Sequence, residues 1–142
     1  KEVLGAKISR YFKDDLKGKT IAVWGLAFKP GTDDMREASA ITLIKYLIQN
    51  GAKVKTYDPE AMEVAQKYYF KDMEGISYVA DKYDALDGAD VMVLVTEWKE
   101  FRSPDFDLIQ SKLKHPVIFD GRNQYDDIEL AQMGFTYFQI GV

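Results

Sequence analysis

The sequence predicts an α/β fold: an open, doubly wound, mostly parallel sheet with helices on both faces, a three-layer sandwich. Two observations predict it. Short apolar segments alternate with segments of helical periodicity along the whole chain, at roughly 20–30 residues per strand–helix unit. The strand segments are apolar at consecutive positions, as strands buried on both faces are. A length of 142 residues suits one domain with one core.

The elements follow in order. Residues 1–15 read as a helix, with Leu4, Ile8, Tyr11 and Phe12 forming one apolar stripe. The stripe is expected to be partly exposed and to favour self-association. "LKGK" (16–19) breaks the helix, and "TIAVWG" (20–25) is a short strand of strong β formers. A charged loop follows. "ASAITLIKYLIQNG" (38–51) is a helix whose buried face is Ala40, Leu43, Ile44, Leu47 and Ile48, with Gly51 as its terminator. "AKVKTYDP" (52–59) is a strand, "EAMEVAQKYYF" (60–70) a helix, "GISYVA" (75–80) a strand and "DKYDALDGA" (81–89) a short helix. "DVMVLVTEW" (90–98) is the most apolar strand. "SPDFDLIQSKLK" (103–114) is a helix capped by Ser103 or Asp105, with Pro104 near its first turn. "PVIFDGRN" (116–123) is a strand, "DDIELAQMG" (126–134) a helix and "FTYFQIGV" (135–142) a last strand.

Composition narrows the function classes. Hydrophobic residues make up 46% and aromatics 13%, enough to fold without metals or disulfides. The net charge of −4 argues against a broad nucleic-acid face and leaves room for a local basic pocket. There is no cysteine, hence no disulfide, thiolate metal site or cysteine nucleophile, which suits a cytoplasmic protein. With one histidine, His115, a metal cluster has too few ligands; His115 precedes a proline and reads as an exposed loop residue. No apolar run approaches the ~20 residues of a membrane span. The first residues form no signal peptide, and the missing initiator Met suggests a piece of a longer protein.

In a Rossmann-like sheet, ligands bind beyond the carboxyl ends of the strands. After the first strand a dinucleotide site would carry G-x-G-x-x-G, but only Gly25 is present, followed by Leu26, Ala27, Phe28 and Lys29. Lys29 and Arg36 lie seven residues apart, and both can face one anion. Asp33 and Asp34 either orient those cations or cap the next helix. The alternative is a solvated loop with weak local ion pairs. Asp58, after the second strand, stands where a ribose-binding acid would, yet "YDP" reads better as a turn. Trp98 packs in preference to stacking on a base, and "YYF" (68–70) reads as core. Gly121 admits close approach of a ligand, and Arg122 either forks onto an anion or pairs with Asp120 or Asp126. Lys29, Arg36 and Arg122 gather at one predicted edge, which favours an anion site.

Four stretches in this order, "GLAFKPGTDDMREA", "LIKYLIQNGAKVKTYDP", "VLVTEWKEF" and "VIFDGRN", resemble the C-terminal domain of the UDP-glucose/GDP-mannose dehydrogenase family, which includes UDP-N-acetylmannosamine dehydrogenases. The resemblance runs from about residue 16 to about residue 140, and "FKPGTDDMREA" and "FDGRN" are most similar to the UDP-glucose 6-dehydrogenase branch. It implies a full enzyme with an N-terminal NAD-binding domain, a central helical region and this domain. Such an enzyme oxidises the sugar C6 alcohol to a carboxylate by two hydride transfers to NAD, with intermediates carried on a cysteine. The resemblance assigns Phe28, Lys29 and Arg122 to the UDP-sugar substrate and Arg36 to NAD, with an electrostatic role for Lys29 near the reacting sugar. Residues 1–15 would be the connecting helix from the central region, and residues 16–142 the nucleotide-sugar domain. The cysteine and the main NAD site lie in regions absent from this sequence, so the chain alone is expected to be inactive. Homo-oligomers are expected of the full enzyme. Two other readings compete: a non-catalytic nucleotide-binding module, and a receiver-like interaction domain, which would want acids at these strand ends.

Overall fold

The computed structural model describes residues 2–140. Six strands, β1 (Thr20–Trp24), β2 (Lys53–Tyr57), β3 (Ile76–Tyr78), β4 (Val91–Leu94), β5 (Val117–Asp120) and β6 (Thr136–Gln139), form one sheet in the order β3-β2-β1-β4-β5-β6. Every pairing is parallel, so the expected "mostly parallel" sheet is wholly so. The strand order reverses between β1 and β4, the switch point where such sheets receive ligands. Gly141 and Val142 of the expected last strand lie outside the described residues, as does Lys1 of the expected first helix.

Burial explains why these segments are strands. The central strands β4 and β5 are buried throughout, and β1 is buried from Ile21 onward. Edge strands β3 and β6 are only partly covered. Alternate side chains of β1 enter opposite layers. Ile21 and Val23 join the core containing Ile8, Leu43, Ile44 and Ala65. Ala22 and Trp24 join the second core with Ile109 and Leu130. The first core is roofed by α1 (Glu2–Tyr11), α2 (Ser39–Gln49) and α3 (Met62–Val64), the second by α4 (Phe106–Lys112) and α5 (Asp127–Gln132). Asp105 caps α4 by accepting from the Leu108 amide at 3.0 Å, which settles the choice between Ser103 and Asp105. Gly51 closes α2 at φ +93°, a left-handed position that favours glycine.

Three segments depart from the sequence reading. The stripe of α1 is covered by its own chain: Leu4 and Ile8 are buried, Tyr11 and Phe12 half-buried, and the Ser9 and Tyr46 hydroxyls lie 2.8 Å apart. The helix expected over 60–70 keeps α-geometry only in α3 and widens into a π-turn, Ala65–Tyr69, closed by the Phe70 amide on the Ala65 carbonyl at 2.8 Å. The wider turn puts Phe70 into the core and leaves Tyr68 68% exposed, so only one residue of "YYF" is buried. The helix expected over 81–89 is a single 3₁₀ turn, Asp84–Leu86.

The tightest backbone approach is at the switch point. Gly25 adopts φ +102°, and a Cβ there would stand 2.5 Å from both the Thr96 amide nitrogen and its Cβ. Gly31, at φ +88°, faces open space. Gly25→Ala should therefore destabilise the fold by about 3 kcal/mol or more, from strain plus overlap with backbone. Gly31→Ala should cost about 1 kcal/mol. Chemical denaturation of the two variants measures the difference, and equal midpoints would contradict the packing described.

Candidate functional site

The loops leaving β1, β2 and β4 are joined by one side chain. Asp58 is fully buried, and its Oδ2 accepts from the Leu26 amide at 2.7 Å, the Ala27 amide at 3.0 Å and the Trp98 indole N–H at 3.0 Å. Its Oδ1 accepts from the Glu60 and Ala61 amides, both at 2.8 Å. The turn reading of "YDP" is thus correct, and the ribose-acid alternative is not, because the carboxylate is enclosed and engaged by its own chain. Trp98 packs against both cores, as expected.

Thr96 completes the closure. It is 1% exposed, and its hydroxyl donates to the Ala27 carbonyl at 2.6 Å. Together with the contact at Gly25, this fills the crevice between β1 and β4. A dinucleotide cradle there needs a glycine-lined backbone approach to the diphosphate. These residues do not fit that group.

What the β1 loop offers outward is its next pair. Phe28 is 42% exposed, and the Lys29 ammonium lies 5.3 Å from its ring centroid. Among the described residues Lys29 has no ion-pair partner within 4.0 Å. Arg36, further along, forks onto Asp34, with Nε 3.1 Å from each carboxylate oxygen and a terminal nitrogen 2.7 Å from Oδ2. The Arg36 hydrogen bonds hold the Asp34 carboxyl down at about 2, with a smaller pull from Lys29. Asp34 therefore orients the cation. Neither Asp33 nor Asp34 caps α2, whose N-cap is Ala38 with no side-chain hydrogen bond.

At the end of β5, Asp120 repeats the role of Asp58. It is fully buried and accepts from the amides of Arg122 (2.9 Å), Gln124 (2.8 Å) and Tyr125 (3.0 Å) and from the Tyr137 hydroxyl (2.6 Å). The Arg122 guanidinium pairs with Glu97 at 2.8 Å, not with Asp120 or Asp126. Asp126 instead caps α5 through the Ile128 and Glu129 amides. Burial raises the Glu97 pKa, but the Arg122 hydrogen bond and nearby positive charge outweigh it, leaving the group below its ordinary value. Gly121 admits a close approach of the chain's own atoms: a Cβ there would lie 2.8 Å from Leu4 Cδ1 and 2.9 Å from the Leu94 carbonyl oxygen. His115, expected to be exposed, is half-covered beside the paired Tyr11 and Phe12 rings, each 6.0 Å away.

Sequence reasoning missed Glu97 as the partner of Arg122, Thr96 as the closure of the crevice, and Asn123. The Asn123 side chain exchanges two hydrogen bonds with the Ile140 backbone, at 2.8 and 2.9 Å, and ties the β5 loop to the chain after β6. The position of Thr96 and Glu97 at the carboxyl end of the most apolar strand was the one available signal. Because the Asp34 value lies below the ordinary 3.8, its pairing stabilises the loop above about pH 4 and is lost as pH falls through about 2. Carboxyl-carbon NMR titration should place Asp34 near 2 in the wild type and shift it upward, toward the ordinary 3.8, in Arg36→Ala, which loses the side-chain fork and keeps the Arg36 backbone amide. An unchanged midpoint in the variant would contradict the fork.

Known proteins are similar to this chain in sequence and fold. Residues 22–127 match the UDP binding domain of the UDP-glucose/GDP-mannose dehydrogenase family. The chain is 42% identical over 147 residues to a UDP-glucose 6-dehydrogenase of Pseudomonas aeruginosa, covering 99% of this chain and 32% of that protein. It is 45% identical over 141 residues to that of Rhizobium meliloti, covering 99% and 31%. The chain thus spans about a third of the length of these curated relatives. Among solved structures, a UDP-glucose dehydrogenase from Pyrobaculum islandicum superimposes with a TM-score of 0.74 at 28% identity, over 95% of this chain and 28% of that one. A UDP-D-ManNAc dehydrogenase from Pyrococcus horikoshii does so with a TM-score of 0.74 at 27% identity, over 97% and 29%. With its parallel sheet, closed switch point and strand-end cations, this chain belongs to the UDP-glucose/GDP-mannose dehydrogenase family and corresponds to its C-terminal, UDP-binding domain.

Proposed function

We propose that this chain is the nucleotide-sugar half-site of an NAD-dependent UDP-glucose 6-dehydrogenase, an enzyme that oxidises UDP-glucose to UDP-glucuronate by two hydride transfers. The observation that carries the reading is the outward pair Phe28 and Lys29 at the switch-point edge, with an ammonium that has no ion-pair partner among the described residues. A cation held on a rigid loop in a closing cleft attracts the diphosphate and stabilises negative charge developing on the reacting sugar. The exposed Phe28 ring supplies an apolar face beside it. Arg122 keeps guanidinium donors beyond the one given to Glu97, and a fixed planar fork suits phosphate or carbonyl oxygens.

The glucose reading is preferred because the relatives with the higher identities carry that name. A UDP-N-acetylmannosamine or GDP-mannose substrate on the same domain is the alternative, and a non-catalytic nucleotide-binding module is the reading from another class. NAD accepts the hydrides, and another domain of the same enzyme holds most of it; Arg36 contributes from the edge of this one. The N-terminal NAD-binding domain and the central helical region are the proposed partners, with residues 1–15 as the connecting helix and residues 16–142 as the domain itself. Homo-oligomers form chiefly through parts outside this chain, in the cytoplasm. No helix among the described residues is long and apolar enough to cross a membrane.

Two outcomes follow. The purified 142-residue chain should reduce no NAD in the presence of UDP-glucose, since it has no cysteine to carry the acyl intermediate. Hydride transfer by the pure chain would refute that assignment. In the full-length enzyme, Lys29→Ala should lower kcat by about 100-fold, the scale of one lost electrostatic stabiliser. Unchanged kinetics would remove Lys29 from the reaction.

A further inference from the structure

We propose that Asp58, a fully buried residue engaged by its own chain, is a positioning residue that sets Lys29 in its working place. The inference rests on the substrate role proposed for Lys29. Asp58 accepts the amides of Leu26 and Ala27, the two residues immediately before Phe28 and Lys29. The same oxygen accepts the Trp98 indole N–H, and the other fixes the turn at Glu60 and Ala61. The carboxylate thus draws the β1, β2 and β4 loops to one point. Thr96 donates to the Ala27 carbonyl, so Ala27, the residue leading into the Phe28 and Lys29 pair, is gripped at both its N–H and its C=O.

The grip also reaches the second cation. Trp98 adjoins Glu97 in the chain, and Glu97 holds Arg122 at 2.8 Å. One buried carboxylate therefore sets the spacing between the β1 loop, which carries Lys29, and the β4 loop, which carries the partner of Arg122. Misplacing a reacting group by about 1 Å costs on the order of 100-fold in rate, so a hub of this kind acts on turnover without touching substrate. On kcat it acts through Lys29, so that loss should be small once Lys29 is gone, while an effect through Arg122 falls on KM.

The test is a double-mutant cycle in the full-length enzyme, reading kcat and KM for UDP-glucose. Asp58→Asn sets an NH2 group against at least two of the five N–H donors and should lower kcat by about tenfold or more; its folding is checked by its unfolding midpoint. Trp98→Phe keeps an aromatic ring in the packing, removes the indole donor with part of the ring volume, and should lower kcat several-fold; its folding is checked by its unfolding midpoint as well. In the Lys29→Ala background both losses should shrink to within about twofold, the signature of residues acting as one unit. Equal losses with and without Lys29, or no kcat loss in Trp98→Phe, would overturn the positioning role. If Lys29→Ala itself leaves kcat unchanged, the substrate reading fails first and takes this inference with it.

Discussion

The carboxyl edge of this sheet depends on one buried acid satisfied by its own backbone. A carboxylate removed from water is costly unless donors surround it. Asp58 meets that constraint with five N–H groups from three loops. The constraint runs both ways, because those loops hold their shape only while the acid stays in place. Asp120 meets the same requirement at the end of β5, with three amides and one hydroxyl. The two acids turn strand ends into rigid mounts for exposed side chains, so the site has fixed geometry although it lies on loops.

The proposed chemistry rests on a division of labour among cations. Arg36 and Arg122 are each held by an acid, Asp34 and Glu97, which presets their guanidinium planes. Such pairs add little stability near the surface; their effect is orientation. Lys29 rests on an aromatic ring and has no such acid among the described residues. The switch point that other doubly wound sheets open to a dinucleotide is closed here by Thr96 against Gly25 and Ala27. The fold keeps the strand order of a dinucleotide domain, while its edge carries the proposed nucleotide-sugar half-site. Preorganised side chains lower the ordering cost of binding at such an edge.

The fold was legible in the sequence because burial on both faces writes itself as consecutive apolar residues. "TIAVW", "VMVL" and "VIFD" have few alternatives to central parallel strands. Features set by contacts distant in sequence were not legible. "YDP" is compatible with a plain turn, and nothing local announces that its acid receives donors from Leu26, Ala27 and Trp98. Arg122 had acids nearby in sequence, yet its partner comes from the neighbouring strand's loop, 25 residues away. Gly121 has the residue type expected for ligand approach, but the close atoms belong to Leu4 of α1, which packs back over the sheet. The π-turn that buries Phe70 reflects a tertiary demand on one residue, which helical periodicity cannot express.

The central claim is that Lys29 and Arg122 form one UDP-sugar half-site on a preset edge. Amide chemical shifts of this chain, titrated with UDP-glucose and with GDP-mannose, test it most directly. The account predicts saturable shifts at Lys29 and Arg122 that follow one binding curve with UDP-glucose and are absent with GDP-mannose. Silence at both residues with UDP-glucose, or equal shifts with the two sugars, would contradict it.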